Sequence, residues 1–305
     1  MGLVKDIKKL QKEKNALILA HYYVLPEIQE IADVVGDSLV LAQAAQQTQA
    51  SVILFAGVHF MAETAKILNP SKTVLIPDLS AGCSLAESCP AEKLSELKAA
   101  HSDHKVISYI NCSAAVKCLS DVIVTSSNAL KIVSSFPENE KLIFAPDRNL
   151  GAYINEKTGR NMVLYNGACH VHDLMIAEDV IRLKYQYPQA KVLAHPECKA
   201  TVLALADFVG STSAMLKFSR TDAASSYIIA TENGILHEMK KQSPEKQFII
   251  VDSETSCACS SCEYMKKNTL ETVYNALLNE SPELVLDTET VEQAQKPILK
   301  MLELS

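Results

Sequence analysis

The sequence predicts three small, homologous parallel-sheet α/β sandwiches in one chain, in a pseudo-threefold arrangement around a central active site. Two observations carry this. Helical stretches alternate with short β-branched apolar runs, the mark of parallel α/β units. The alternation also returns three times: an apolar segment, an Asp and a hydroxyl occur as LILAHYY before Asp33, VISYINC before Asp121 and VLAHPEC before Asp207. These Asp residues lie 88 and 86 residues apart.

Read in order, MGLVKDIKKLQKEK is an amphipathic helix and LILAHYY the first strand. Each Asp leads to a helical stretch and a second apolar run (SVILFAGV, KLIFAPD, SYIIATE), then to another helix and a third run (KTVLIPD, NMVLYNG, QFIIVDS). The predicted units are 1–84, 85–170 and 171–262, with the acidic helical tail 263–305 packing back on the first.

Composition narrows the class. The 305 residues are 48% hydrophobic and 21% charged, as in an ordinary globular protein with a large core. Twenty-nine basic against thirty-six acidic residues give −7, which argues against a nucleic-acid surface. No apolar run approaches the ~18 residues of a membrane span, and the first helix lacks the apolar core of a signal peptide. After Met1-Gly2, Asp6 stands where myristoylation wants Ser or Thr. The expectation is a cytoplasmic protein with no nucleic-acid or membrane partner. Glycine-rich nucleotide motifs, the G-x-S-x-G elbow and H-E-x-x-H are absent; His237-Glu238 is followed by Met239-Lys240-Lys241.

In open parallel sheets, ligands bind outside the carboxyl ends of the strands. Twelve residues before each Asp stand His21, Tyr109 and His195; ten before, Tyr23, Asn111 and Glu197; five after, Ser38, Ser126 and Thr212. All nine are polar beside apolar strands, which core positions would not be. The hydroxyls read first as helix N-caps, a role compatible with binding phosphate or carboxylate at the helix N-terminus. Glu197 reads as an ion-pair partner of His195 or, given its location, as a general base. His59, His101, His104 and His237 receive no role.

Nine cysteines, an odd number without a secretion signal, do not make a disulfide framework. About half read as small buried hydrophobes. The rest fall one loop after the last strand of each unit: Cys83 lies 50 residues past Asp33, Cys169 48 past Asp121, and Cys257, Cys259 and Cys262 lie 50, 52 and 55 past Asp207. One thiolate per unit suits a 4Fe–4S cluster with one open iron, and equally a three-thiolate zinc site. The spacing does not choose among the three late cysteines.

The stretches ILAHYYVLPEIQEIADVVGDS, GVHFMAE-x2-KILNP, PD-x3-GC, FAPDRNLG, HPEC, VGST and CEYMKKN, in that order from Leu17 to Lys300, resemble the quinolinate synthases. The resemblance implies three α/β domains around a central site and one oxygen-sensitive 4Fe–4S cluster per chain. It also implies condensation of iminoaspartate with dihydroxyacetone phosphate to quinolinate in NAD synthesis, with loss of phosphate and two waters. By motif match the cluster ligands are Cys83, Cys169 and Cys262, the last because it precedes Met265 and Asn268 in the family's spacing. This chain has C-x-C-x-x-C where many members have C-x-x-C-x-x-C, so a redox role for Cys257 and Cys259 does not carry over. Substrate-binding positions match His21, Tyr23, Ser38, Tyr109, Asn111, Ser126, His195, Glu197, Ser211 and Thr212, with His172 a weaker candidate. In the reading that follows, Glu197 and His195 shuttle protons, Tyr23 and His21 assist isomerisation and dehydration, and Tyr109 and Asn111 hold substrate. The unstable imine implies supply by an aspartate-oxidising enzyme. A zinc-dependent lyase or aldolase on the same thiolates and a redox or metal-sensor module built on CACSSC are the competing classes.

Overall fold

A computed structural model describes residues 2–252 and 260–305. Its strands form three four-stranded sheets, parallel throughout. The first holds β1 (Ala16–His21), β2 (Val34–Gly36), β3 (Val52–Ala56) and β4 (Thr73–Leu75). The second holds β5 (Lys105–Tyr109), β6 (Val122–Val124), β7 (Leu142–Ala145) and β8 (Val163–Leu164). The third holds β9 (Lys191–Ala194), β10 (Phe208–Val209), β11 (Ser226–Ala230) and β12 (Gln247–Ile250). Spatial order is second–first–third–fourth in every sheet. The predicted α/β class with three parallel-sheet units is what the chain forms.

The middle strands are apolar runs because helices cover both faces of a parallel sheet; all five residues of β3 and all four of β7 are buried. In this strand order the chain reverses direction of winding between the first and third strands. The crevice for a ligand therefore opens at their carboxyl ends.

The repeated Asp is a strand clamp. Asp33 Oδ2 accepts the Ile18 amide at 2.8 Å, Asp121 Oδ2 the Val106 amide at 2.8 Å and Asp207 Oδ2 the Val192 amide at 2.8 Å. The backbone of each Asp returns a bond to the same residue's carbonyl, at 2.9, 2.8 and 2.8 Å. Each edge strand is thus pinned to its neighbour at its start, so the residue counts from the Asp report true structural equivalence.

Beyond the third sheet, the helix Leu270–Asn279 packs on the helix Gly2–Glu13 and on β3. The helix Thr288–Leu304 lies against the helix Ala114–Cys118 and β6 as well as the helix His59–Leu68, so it touches both the first and the second sheet's surroundings. One apolar cluster runs through the first two units and these tail helices, whereas the third unit is built on two further clusters, one of which takes in Tyr22 of the first unit. No helix among the described residues is long and apolar enough to cross a membrane.

Candidate active site

The carboxyl ends of β1, β5 and β9 open into one cavity. His21, Tyr23, Ser38, Tyr109, Asn111, Ser126, His195, Glu197 and Thr212 all line it, and so do Cys83, Cys169 and Cys262. Ser211, the neighbour of Thr212 in the chain, is buried and not part of the lining.

The two histidines are set alike. His21 Nδ1 accepts the Tyr23 amide at 3.2 Å, and His195 Nδ1 accepts the Glu197 amide at 3.4 Å. With Nδ1 occupied as an acceptor, a neutral ring carries its proton on Nε2. Burial, the largest influence on both, pulls His21 down to about 4 and His195 to about 3, against the attraction of Asp37 and Glu197. Near neutral pH each is an uncharged N–H donor.

Glu197 is the hub. Its Oε2 lies 2.7 Å from His172 Nδ1 and 3.8 Å from His195 Nδ1, while Oε1 is buried without a partner among the described residues. A carboxylate only accepts, so His172 donates from Nδ1. Burial would raise the Glu197 carboxyl, but the His172 imidazole and hydrogen bonds from His172 and Tyr109 outweigh it and hold the group below the usual carboxylate range. The His172 ring stacks on His195, centroids 4.7 Å apart, and its Nε2 lies 2.9 Å from Thr231 Oγ1, itself 2.7 Å from the Tyr23 hydroxyl. Burial keeps Tyr23 and Tyr109 protonated, raising both well above the ordinary phenol range. Asn111 Oδ1, like Glu197 Oε1, is buried with no partner.

The capping roles expected of the hydroxyls hold at Ser211 alone, whose Oγ accepts the Ala214 amide at 3.3 Å. At the first unit the cap is Asp37: β2 ends at Gly36, which puts Asp37 at the cap position with Oδ1 3.1 Å from the Leu39 and Val40 amides, and Ser38 one residue inside the helix. At the second, Asn128 is the cap residue and Ser126 sits in the turn before it. Thr212 is the first helical residue after Ser211. Ser127 Oγ joins the three units, 2.7 Å from Asp37 Oδ2 and 2.8 Å from Ser211 Oγ.

Each of the three cysteines precedes a single helical turn: Ser84–Glu87, His170–Asp173 and Met265–Lys267. That geometry aims backbone N–H groups at sulfur, from Leu85 and Ala86 to Cys83, from His172 to Cys169, and from Tyr264 and Met265 to Cys262. Burial nevertheless dominates and pushes all three thiols up, Cys83 to about 12. Thiolates here call for a cationic centre, so the donor set suits a metal bound through sulfur. Cys169, His172 and Glu197 also bring donor atoms within 4.8 Å of one another, a set able to hold a metal ion. Cys257 and Cys259 lie outside the described residues. Cys89, Cys112 and Cys198 are buried and Cys118 half-buried, all away from the cavity lining.

A family model, Quinolinate synthetase A protein, matches residues 5–303. The chain belongs to this family. The quinolinate synthase of Chloroherpeton thalassium is 55% identical over 306 residues, covering 100% of this chain and 95% of the relative. That of Synechocystis sp. is 56% identical over 303 residues, covering 99% and 95%. A solved structure, the E-1-hydroxy-2-methyl-but-2-enyl-4-diphosphate reductase from Plasmodium falciparum, aligns at a TM-score of 0.34 and 12% identity over 91% of this chain and 93% of that one. The resemblance read from the motifs is borne out, and this member of the quinolinate synthetase A family is an enzyme.

Several groups in and around this candidate site escaped the sequence reading: Asp37, Ser127, Asp147, Thr231, Glu232 and Lys266. Lys266 Nζ bonds Tyr23 O at 2.6 Å and Glu232 Oε1 at 2.8 Å, tying the Cys262 segment to the end of β1. A signal for Asp147, Thr231 and Glu232 existed, since they close the runs KLIFAPD and SYIIATE that defined the repeat. For Lys266 no pattern in the sequence marks its partner.

Proposed function

We propose that this enzyme condenses iminoaspartate with dihydroxyacetone phosphate, giving quinolinate, inorganic phosphate and two waters. The observation that carries the reading is the convergence of three sheets' strand ends and three thiols on one buried cavity. Family membership supports it. Cys83, Cys169 and Cys262 would hold a 4Fe–4S cluster. When bound, that cluster supplies Lewis acidity at its open iron, easing loss of a substrate oxygen as water.

The protein's own groups do the rest. Asp37, Glu197 and Glu232 are lining carboxylates, but both oxygens of Asp37 and Glu232 are engaged, leaving Glu197 Oε1 as the one of their oxygens without a partner among the described residues. Glu197 therefore takes the proton released as the carbon–carbon bond forms. His21 and His195 donate Nε2–H to substrate oxygens without bringing charge, and His195 with Glu197 passes protons between steps. Tyr23 with His21 assists isomerisation and dehydration, while Tyr109 and Asn111 orient the substrate. The helix N-termini at Ser38 and at Ser211 and Thr212, with the turn at Ser126, receive the carboxylates and the phosphate. The units are taken to divide at 84/85, 170/171 and 262/263. The enzyme is taken to work in the cytoplasm within NAD synthesis, fed by an aspartate-oxidising enzyme.

The closeness of Cys169, His172 and Glu197 favours one second reading, a zinc-dependent lyase or aldolase. Anaerobic purification separates the two. Iron and inorganic sulfide near four each per chain, with quinolinate formed from the two substrates, is the expected result. Zinc without sulfide, or a fully loaded protein that forms no quinolinate, overturns the proposal.

A further inference from the structure

The third strands of the three sheets end on alanine: Ala56, Ala145 and Ala230. Each pairs with the residue just before a cavity-lining group, Ala20 before His21, Ser108 before Tyr109 and Ala194 before His195. Two residues beyond these alanines stand Val58, Asp147 and Glu232. One backbone position thus carries a carboxylate in the second and third units and an isopropyl group in the first.

Both carboxylates are fully buried, where an oxygen without a donor is costly. Asp147 Oδ1 accepts the amides of Asn149 at 2.7 Å and Leu150 at 3.0 Å, capping its helix, and Oδ2 accepts the amide of Cys169 at 2.8 Å. Glu232 Oε2 accepts the amide of Gly234 at 2.7 Å. Its Oε1 accepts the amide of Cys262 at 3.0 Å and faces Lys266 Nζ at 2.8 Å. In both units one oxygen fixes the segment after its own strand and the other reaches a cysteine 22 or 30 residues away. The first unit differs. Val58 has nothing to accept with, and the bond there runs the other way, from the His59 amide to the carbonyl of Ala81 at 2.8 Å, two residues short of Cys83. No carboxylate meets the Cys83 amide among the described residues.

We propose that Asp147 and Glu232 are positioning residues that set Cys169 and Cys262 before the metal arrives, and that Cys83 is the arm the metal itself fixes. This rests on the three cysteines being the ligands. A charge-assisted bond to the ligand's own amide sets where that backbone, and so its sulfur, can sit. Outer partners of this kind commonly change metal retention by tenfold or more when removed.

The test uses the full-length enzyme, purified anaerobically with its metal and challenged with an iron chelator and iodoacetamide together. Iron release is followed by absorbance, and the order of cysteine labelling by peptide mass spectrometry. In the wild type Cys83 labels first. Glu232→Gln releases iron about tenfold faster and brings Cys262 to the front; Asp147→Asn does so for Cys169; neither alters the rank of the other's cysteine. Cys83 remaining first in both variants refutes the proposal, as do the three labelling together, the mark of general loosening. If a variant does not fold, the wild-type order decides, since anything but Cys83 first refutes it. Absence of iron and sulfide from the wild type instead refutes the cluster reading, and labelling of the metal-free chain then still tests the placement.

Discussion

Glu197→Gln separates proton transfer from packing at this site. The Glu197 side chain is 3% exposed, with Oε2 2.7 Å from His172 Nδ1 and Oε1 buried without a partner among the described residues. A glutamine that turns its carbonyl oxygen to His172 keeps that bond and places an NH2 where Oε1 was. The one open acceptor becomes a donor, and the volume hardly changes. Loss of a general base costs ~10²–10⁴-fold in turnover, about 3 to 5 kcal/mol of barrier. The stability change should be near 1 kcal/mol, the difference between a charged and a neutral acceptor. Glu197→Ala, by contrast, leaves His172 Nδ1 with the weaker acceptor Cys169 Sγ, 3.3 Å away, and should cost a further ~1 kcal/mol of stability. The assay is anaerobic quinolinate formation, with iron and sulfide per chain and the thermal midpoint measured on the same samples. A kcat within tenfold of wild type in a fully loaded Glu197→Gln enzyme would remove Glu197 from proton transfer.

Cys83→Ala, Cys169→Ala and Cys262→Ala should each abolish activity and deplete iron, while Cys89→Ala and Cys118→Ala keep it; full iron in Cys262→Ala would show that the third ligand lies elsewhere. The Asp clamps should matter to folding and not to chemistry. Asp121→Ala leaves the Val106 amide unpaired and should cost ~1–3 kcal/mol in urea unfolding, with iron content unchanged; loss of metal at full stability would contradict the clamp. His21 supplies a pH test. Its folded pKa, about 4, lies below the unfolded value of 6.5, so the unfolded chain binds the extra proton and stability falls as pH drops from 6.5 toward 4. His21→Gln should flatten that fall, on the order of 3 kcal/mol at its acid end; equal slopes for the two proteins would show that His21 titrates normally when folded.

What the sequence made legible was position along the chain. The Asp count worked because Asp33, Asp121 and Asp207 each hold a backbone amide at the same distance, so strand ends fall in step. What it hid was choice among neighbours. Asp37 and Ser38 both suit a helix cap, and only the end of β2 at Gly36 decides which takes it. Partners far apart in sequence were equally hidden, since nothing in residue type links Lys266 to Tyr23 or Asp147 to Cys169. The roles of Thr231 and Glu232 follow from burial beside a strand end, which only the folded chain displays.

A ring of three identical subunits could place only identical groups at equivalent points. Here the same strand-end position holds His21, Tyr109 and His195, and the position two residues on holds Tyr23, Asn111 and Glu197. Covalent linkage of the copies has let each diverge while the shared backbone keeps all of them aimed at one spot. A small-molecule substrate with unlike ends needs unlike neighbours, and a single-chain triplicate can supply them without inventing a new scaffold. Specificity in such a protein can be altered at one third of the site by a single substitution, an option closed to any assembly in which each mutation arrives three times.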